Sequence, residues 1–133
     1  MFESALKYAD LPARALMSAV FVLSGISKIG AYGATQGYME AFGVPGFLLA
    51  PTIAFEIVAG LMLLTGAWTR PVAFVLSGFT IITALVFHTD FSDQFQQFTF
   101  LKNMSMAGGL LLLTKTGAPG FSVDAYRSSK KGE

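Results

Sequence analysis

The chain has 133 residues, of which 53% are hydrophobic and 13% are charged. Soluble domains carry about 25% charged residues, so this composition is typical of a membrane protein. The absence of cysteine and the single histidine exclude a disulfide scaffold, thiolate metal sites and multi-histidine metal sites. The net charge of +1 provides no basic surface for nucleic acid. We therefore expect one membrane domain over residues 1–133, with no metal and no nucleic-acid partner.

Residues 11–28 form the first predicted span, and the part between Arg14 and Lys28 has no charge. This part covers only about 21 Å as a helix. Both flanking side chains are long enough to extend toward the headgroups and complete the thickness of about 30 Å that a span must cross. A charged start before a short apolar core is also typical of a signal peptide. Because no clear cleavage motif follows, we expect an uncleaved span.

Three further apolar segments predict spans at residues 47–66, 71–88 and 98–116. Trp68 lies in the short turn before the third span, at the headgroup level that indole rings prefer. Pro71 suits the first turn of a helix, where its missing N–H is not needed. The sequence therefore predicts an all-α fold, an integral membrane four-helix bundle.

The two loops between spans on the side away from the termini are predicted to contain short amphipathic segments. Residues 30–46 are rich in glycine, with Thr35 as a candidate helix cap. Phenylalanines recur at helical spacing around residues 89–97, which favours a membrane anchor over a cofactor-binding motif. Residues 122–133 are hydrophilic and predict a mobile cytoplasmic tail. The apolar faces of the two segments are Tyr38, Met39 and Phe42, and Phe91, Phe95 and Phe98.

Lysine and arginine are distributed unevenly between the two sides of the predicted bundle. With four spans both termini lie on one side, and that side carries seven of the nine basic residues. Because positive charge is retained on the cytoplasmic side, we expect a multi-pass protein of the bacterial cytoplasmic membrane with both termini in the cytoplasm. The seven residues are Lys7, Arg14, Arg70, Lys115, Arg127, Lys130 and Lys131, and the other two are Lys28 and Lys102.

Small and polar residues form a stripe on each of the first three predicted spans, and such a stripe faces the interior of a bundle. Because side chains tilt toward the N-terminus of their own helix, Lys28, Glu56 and His88 are expected to point at one region in the outer half. Lys102 is expected to lean toward the outer surface, and Asn103 to line the mouth of this region. The stripes are Arg14-Ser18-Phe21-Gly25-Lys28, Thr52-Glu56-Ala59-Leu63-Gly66 and Ala73-Ser77-Thr80-Ala84-His88.

The candidate ligand-binding residues follow from this convergence, and no catalytic residue is assigned. A structural alternative stays open for each main member: Glu56 and Lys28 as an ion pair that fixes helix register, and His88 as a simple interfacial residue. The ligand-binding candidates are Lys28, Glu56, His88, Lys102 and Asn103. The residues interpreted as structural or interfacial are Arg14, Arg70 and Trp68, with the two arginines extending to cytoplasmic headgroups.

Ordered motifs run from residue 14 to residue 117: Arg14, Ser24-Gly25-x-x-Lys28, Gly43-Val44-Pro45, Glu56-x-x-x-Gly60, Gly66-x-x-x-Arg70, Phe87-His88, Lys102-Asn103 and Gly108-Gly109. This set resembles the DoxX family, and within it a small bacterial inner-membrane branch. The resemblance implies a four-helix bundle linked to quinones, sulfur or thiol oxidation, oxidative stress and aromatic-compound detoxification. The family's polar positions coincide with the ligand-binding candidates. Without cysteine, the chain has no thiol–disulfide chemistry of its own.

Three functions remain open, and whether the chain is itself an enzyme is undecided. The favoured one is a quinone-binding protein or quinone-associated oxidoreductase subunit, in which Lys28 or His88 donates to a carbonyl and Glu56 relays a proton. No intrinsic cofactor is evident, so a redox partner protein would supply electrons. The second is a binding or transport module for a small aromatic, anionic or lipid ligand. The third is a membrane anchor for a partner enzyme, and small-residue faces also permit a homo-oligomer in the lipid bilayer.

Overall fold

The computed structural model describes residues 8–120 and 122–131, which contain helices and no strand. The all-α prediction is therefore confirmed for this part of the chain. Lys7 and the end of the predicted tail lie outside it. The helices are α1 (Asp10–Gly30), α2 (Tyr32–Ala41), α3 (Leu49–Thr65, preceded by a 3-10 turn at Gly46–Leu48), α4 (Thr69–Phe87), α5 (Gln94–Thr116) and α6 (Val123–Lys131).

Three helical segments in the described part of the chain are long and apolar enough to cross a membrane: Asp10–Gly30, Gly46–Thr65 and Thr69–Phe87. They correspond to the first three predicted spans, so the chain is a helical membrane protein. Helix α5 has sufficient length, with 23 residues. Its polar residues, Lys102 and Asn103 among them, keep its hydropathy below that of the other three. The fourth predicted span is therefore not distinguished by composition.

Close approach of α1 and α3 depends on two glycines. These helices pack extensively against each other, as do α4 and α5, and α3 joins the two pairs by its contact with α4. A Cβ atom added at Gly25 would lie 2.6 Å from Ile57 Cγ1, and one at Gly60 would lie 2.8 Å from Val22 Cγ2. Small residues at such positions let membrane helices approach closely. The sequence thus places α1 and α3 in tight contact along one face.

The predicted small and polar stripes do face the interior. In α1 the buried residues are Asp10 and the first four members of the stripe, and in α4 the stripe is buried from Ala73 to Ala84. The opposite helix faces expose large apolar side chains such as Leu16, Phe74 and Leu85, as expected for surfaces in contact with lipid. The central core consists of Phe21, Ala59, Leu63, Ala73, Leu76, Leu110 and Leu113.

Two local predictions are wrong. Thr35 does not cap a helix, because it lies inside α2 and its hydroxyl donates to the Ala31 carbonyl at 2.8 Å. The predicted segment at 89–97 is not separate, since α5 begins at Gln94 and Asp93 caps it by accepting from the Phe95 N–H at 3.0 Å. The described part of the predicted tail contains a helix, α6, and its mobility stays a prediction.

Arg14 is fully buried at the end of the bundle near the termini. Its Nε donates to Asp10 Oδ2 at 3.0 Å, and a terminal nitrogen donates to the carbonyl oxygens of Leu64 at 2.7 Å and Leu63 at 3.4 Å. Carbonyls in the last turn of a helix have no partner within the helix, so Arg14 satisfies the end of α3. The prediction that Arg14 extends to the headgroups is wrong, because these partners lie inside the bundle.

Asp124 attaches α6 to the turn between α3 and α4. Its carboxylate accepts hydrogen bonds from the N–H groups of Trp68 at 2.8 Å and Thr69 at 2.7 Å, at the start of α4. Burial acts to raise the pKa of Asp124, but these hydrogen bonds and the Arg127 guanidinium outweigh it and lower the pKa. Arg127 also lies 5.3 Å from the centre of the exposed Trp68 ring. Arg70 is exposed beside this turn.

Candidate ligand-binding site

A cavity of about 800 Å³ lies at the other end of the bundle, where α1 and α4 end and α3 and α5 begin. We call it the outer cavity. Most of its lining is apolar, and the polar lining includes all the ligand-binding candidates: Lys28, Glu56, His88, Lys102 and Asn103. Lys102 lines this cavity and is exposed, which agrees with the expectation that its side chain leans toward the outer surface. Sites for small molecules usually combine such apolar walls with a few polar groups.

The ion pair between Lys28 and Glu56 joins α1 to α3 at the inner part of this cavity. Lys28 Nζ donates to Glu56 Oε1 at 2.5 Å. Gly25 precedes Lys28 by one turn and Gly60 follows Glu56 by one turn, so the close contact of the two helices brings the side chains together. The Glu56 side chain is only 3% exposed, whereas that of Lys28 is 29% exposed. The ammonium group therefore has access to the cavity.

Glu56 has one carboxylate oxygen that is not satisfied. Among the described residues, Oε2 has no hydrogen-bond partner although it is buried. A buried acceptor without a donor costs about 1–3 kcal/mol, and more when the group is charged. Groups of this kind in native proteins are often explained by function. Glu56 thus combines a structural contact with an unused acceptor.

Residues of α4 and α5 form the opposite wall. Asn103 Nδ2 lies 3.4 Å from both the Thr80 carbonyl oxygen and Thr83 Oγ1, which are long contacts. His88 follows α4 directly, one residue beyond the span-length segment. Burial lowers the pKa of His88, and the positive charge of Lys102 lowers it further. The imidazole is therefore neutral at pH 7 and has one nitrogen that donates and one that accepts.

An aromatic cluster connects α2 to the end of α4. The ring centres of Tyr38 and Phe87 are 5.5 Å apart, and Phe42 lies 4.9 Å from Tyr38 and 5.2 Å from Phe87. Tyr38, Met39 and Phe87 line the cavity. The sequence predicted the apolar face of α2 but assigned it to the membrane interface. The spacing of the residues indicated that Tyr38 and Phe42 share a face. It gave no signal for their partner Phe87, which lies 45 residues after Phe42.

Hydroxyl groups in the lining were also missed as a set. Thr52 donates its proton to the Leu48 carbonyl at 2.7 Å, and Thr80 donates to the Leu76 carbonyl at 2.7 Å. Since a hydroxyl has one proton and two lone pairs, these oxygens retain only the capacity to accept. The serine and threonine residues in the lining are Ser24, Thr35, Thr52, Thr80, Thr83 and Thr99, and Tyr38 adds a phenolic hydroxyl.

Two other features contribute no polar site. A groove of about 360 Å³ between α3 and α4, next to Trp68, is lined by apolar residues without any charged group. The Phe91, Phe95 and Phe98 side chains are exposed and do not line the outer cavity. Within residues 8–120 and 122–131, no group of three or more His, Cys, Asp or Glu side chains is arranged to hold a metal ion.

Comparison with known proteins matches the chain to one family model and to two bacterial inner membrane proteins. The family model described as DoxX matches residues 9–89, the part that carries Lys28, Glu56 and His88. The chain is 43% identical over 120 residues to inner membrane protein YqjF of Escherichia coli K12, which covers 90% of this chain and 92% of YqjF. It is 33% identical over 121 residues to inner membrane protein YphA of the same organism, covering 86% of each chain. No solved structure matches the chain.

Proposed function

This chain belongs to the DoxX family, and from that premise we propose that it is a bacterial inner-membrane protein that binds a quinone in the outer cavity. The observation that carries the proposal is that two lysines, Lys28 and Lys102, line a cavity whose lining is otherwise mostly apolar. A quinone matches such a cavity, because its ring has polar oxygens at the edge and carries an apolar substituent. The protein would act as a quinone-associated subunit of a membrane oxidoreductase.

The dimensions and donors of the outer cavity support this ligand class. Its volume of about 800 Å³ falls within the range of about 300–1,000 Å³ typical of small-molecule sites. Quinone carbonyls only accept hydrogen bonds, and ammonium groups only donate them. Among the described residues, Lys28 donates one of its three N–H bonds, to Glu56, which leaves two for a ligand. Lys102 provides a second donor from α5.

Electrons would come from a partner. The chain has no cysteine to ligate an iron–sulfur cluster and one histidine, which is too few for bis-histidine haem ligation. We therefore propose that a redox partner protein delivers or removes electrons, while this chain holds the quinone and exchanges protons with it. His88, neutral at pH 7, has one nitrogen to accept a proton in such an exchange.

The topology belongs to the same proposal: α5 is the fourth span and both termini are cytoplasmic. Helix α5 packs extensively against α4 and buries Ala107, Leu110 and Leu113. Its 23 residues cover about 34 Å, enough to cross a bilayer. Reporter fusions at Tyr126 should behave as cytoplasmic, and fusions within residues 90–97 as periplasmic. The reverse pattern, or one side for both positions, would contradict this topology.

Equilibrium binding of ubiquinone-1 to the purified protein in detergent tests the proposed ligand class. Lys102→Met should weaken binding by about 10- to 150-fold, since a hydrogen bond from a charged donor contributes about 1.5–3 kcal/mol. Lys115→Met is the matched control, because Lys115 is an exposed lysine near the other end of α5 and does not line the cavity. Absence of saturable binding, or equal loss in both variants, would contradict quinone binding here.

A second candidate function, binding of a small anionic aromatic molecule without electron transfer, is favoured by the excess of positive charge. The outer cavity has two lysines and one glutamate in its lining. Benzoate that binds tightly and displaces ubiquinone-1 would support this alternative. Mass spectrometry of organic molecules extracted from gently purified protein would identify the native ligand directly.

A further inference from the structure

We infer that the outer cavity binds the reduced form, a quinol, more tightly than the quinone, and that Glu56 Oε2 accepts the hydroxyl proton that distinguishes them. The inference rests on the proposed function, because it specifies which redox form of that ligand the site selects. Its basis is separate: the quinone proposal depends on the lysine donors, whereas the preference depends on acceptors that have no donor.

The Glu56 carboxylate is the first observation. It lines the outer cavity, its side chain is 97% buried, and Oε1 is used by Lys28. Oε2 has no hydrogen-bond partner among the described residues. An ionised carboxylate accepts hydrogen bonds at both oxygens and donates none. A ligand that brings a hydroxyl to this place removes the cost of the unsatisfied oxygen, whereas a ligand that brings a carbonyl oxygen adds repulsion.

Two hydroxyl groups in the lining of the cavity also offer acceptors and no free proton. Thr52 is one turn before Glu56 on α3 and Thr80 belongs to the facing stripe of α4, and both line the cavity. Each donates its only proton to a carbonyl four residues earlier in the chain. Their oxygens therefore offer lone pairs to a ligand. Besides Glu56 Oε2, the lining thus contains two hydroxyl oxygens that can only accept, which favours a molecule that can donate.

Lys28 completes the recognition of a hydroxyl group. Its ammonium has three N–H bonds, of which one is donated to Glu56 Oε1. A quinol hydroxyl placed beside the pair can donate its proton to Oε2 and accept from Lys28 Nζ at the same oxygen. A quinone carbonyl at this position can accept from Lys28 but leaves Oε2 unsatisfied. The ion pair can therefore both donate to a hydroxyl and accept from it, whereas it can only donate to a carbonyl.

Three ring compounds of the same skeleton separate the contributions. Ubiquinol-1, ubiquinone-1 and the dimethyl ether of ubiquinol-1 are titrated anaerobically into the purified protein in one detergent. The ether has the reduced ring but no hydroxyl proton. We expect ubiquinol-1 to bind about 10- to 150-fold more tightly than ubiquinone-1, the ratio that corresponds to one hydrogen bond to a charged group. The ether should bind no more tightly than the quinone.

Glu56→Gln tests the assigned acceptor, with Glu40→Gln as the matched control. Glu40 is an exposed acid on α2 that does not line the cavity. Glu56→Gln should remove most of the preference for quinol, because a neutral amide is a weaker acceptor and also donates to carbonyls. Glu40→Gln should retain the preference. Should Glu56→Gln fail to fold, the double variant Lys28→Met/Glu56→Gln removes both charges and should show the same loss of preference.

The outcomes distinguish this inference from the function on which it rests. Equal affinity for the three compounds, with Lys102→Met still weakening all of them, overturns the quinol preference and leaves quinone binding in place. No saturable binding of any of them overturns both. A quinol preference that persists in Glu56→Gln, or one shared by the dimethyl ether, overturns the role of the carboxylate. Loss of the preference in Glu56→Gln and its retention in Glu40→Gln support it.

Discussion

The two ends of the bundle each contain a buried acid next to a base, but they differ in how completely these groups are satisfied. At the end near the termini, Asp10 accepts from Arg14 and from the Gly120 N–H at 3.2 Å, and Arg14 also binds two carbonyls of α3. In the outer cavity, Lys28 is the one donor to Glu56 among the residues that the structure describes. Breaking a buried ion pair with a full set of partners is strongly destabilising, whereas an unsatisfied buried group calls for a further explanation, such as a redox or catalytic role or a bound water or ion.

The choice of base follows the same division. The arginine guanidinium is planar with several fixed donors, which suits simultaneous contacts to a carboxylate and to main-chain oxygens. The lysine ammonium is a compact charge on a flexible chain, and Lys28 keeps 29% of its side chain exposed. Arg14 is therefore committed to the protein, while Lys28 retains donors for a ligand. Substitutions at the two ends should have different consequences.

Arg14→Met should have the largest effect on stability. It removes the partner of a buried acid and two hydrogen bonds to the end of α3, and breaking a buried ion pair costs about 3–5 kcal/mol. The free energy of unfolding in mixed detergent, followed by circular dichroism, measures the loss. Arg70→Met is the control, because Arg70 is an exposed arginine at the same end and should change stability by less than about 0.5 kcal/mol. Similar losses in the two variants would show that Arg14 is not structurally special.

Disruption of the Lys28–Glu56 pair should have a smaller effect, because Lys28 is partly exposed. Lys28→Met and Glu56→Gln should each lower the free energy of unfolding, and the double variant should recover part of the loss. Residues in direct contact show coupling energies of about 0.5–3 kcal/mol. The four proteins of the cycle are compared in the same detergent. Strict additivity would mean that the contact makes no net contribution.

Asp124→Asn should cost about 0.5–1.5 kcal/mol, the net contribution of one hydrogen bond, because the amide has one acceptor oxygen where the carboxylate uses two, and the loss should depend on pH. Because the folded-state pKa of Asp124 lies below the ordinary 3.8, its stabilisation is complete above pH 3.8 and is lost as the pH falls through the folded-state value. The difference between wild type and variant should therefore be constant near neutral pH and shrink in acid.

Hydrogen exchange locates the effect of Asp124→Asn. The variant should speed amide exchange in α6 and at the start of α4, while the lining of the outer cavity keeps its protection. Glu40→Gln, which alters an exposed acid away from this end, should leave exchange in α6 unchanged. A stability difference between wild type and Asp124→Asn that grows toward acid pH would contradict the assigned role, because the sign of the pKa shift requires the opposite.

The residues that helical phase located correctly share one property: their positions depend on the regular geometry of their own helices. Lys28 and Glu56 lie on stripes that include Gly25 and Gly60, so their contact follows from the approach of α1 and α3. Helix periodicity and the preference for small residues at helix contacts are local and general. They are sufficient for the all-α class, for the three apolar spans and for the region where the polar residues meet.

The features that were missed depend on partners far away in the chain. Arg14 was assigned to the headgroups because its position near a span end favours extension, but its partners are carbonyls 49 and 50 residues away. The contact of Tyr38 with Phe87 and the attachment of α6 by Asp124 are also long-range. Neither has a periodic signal in the sequence. Prediction of such contacts requires the relative placement of helices, which a single sequence does not contain.

His88→Ala should have the smallest effect on stability, with a melting temperature close to that of wild type, and its effect should appear in ligand binding. The residue follows the end of α4 and is only partly buried, so water can replace the imidazole without leaving a closed cavity. Since its pKa is lowered, the neutral ring contributes an ordinary hydrogen bond of about 0.5–1.5 kcal/mol, or about 2- to 13-fold in affinity. Thr89→Ala is the control, because Thr89 is exposed and outside the lining. Titration with ubiquinone-1 and ubiquinol-1 measures both variants. Unchanged affinity would return His88 to a plain interfacial role, and a large drop in melting temperature would place it with Arg14 among the residues that hold the fold together.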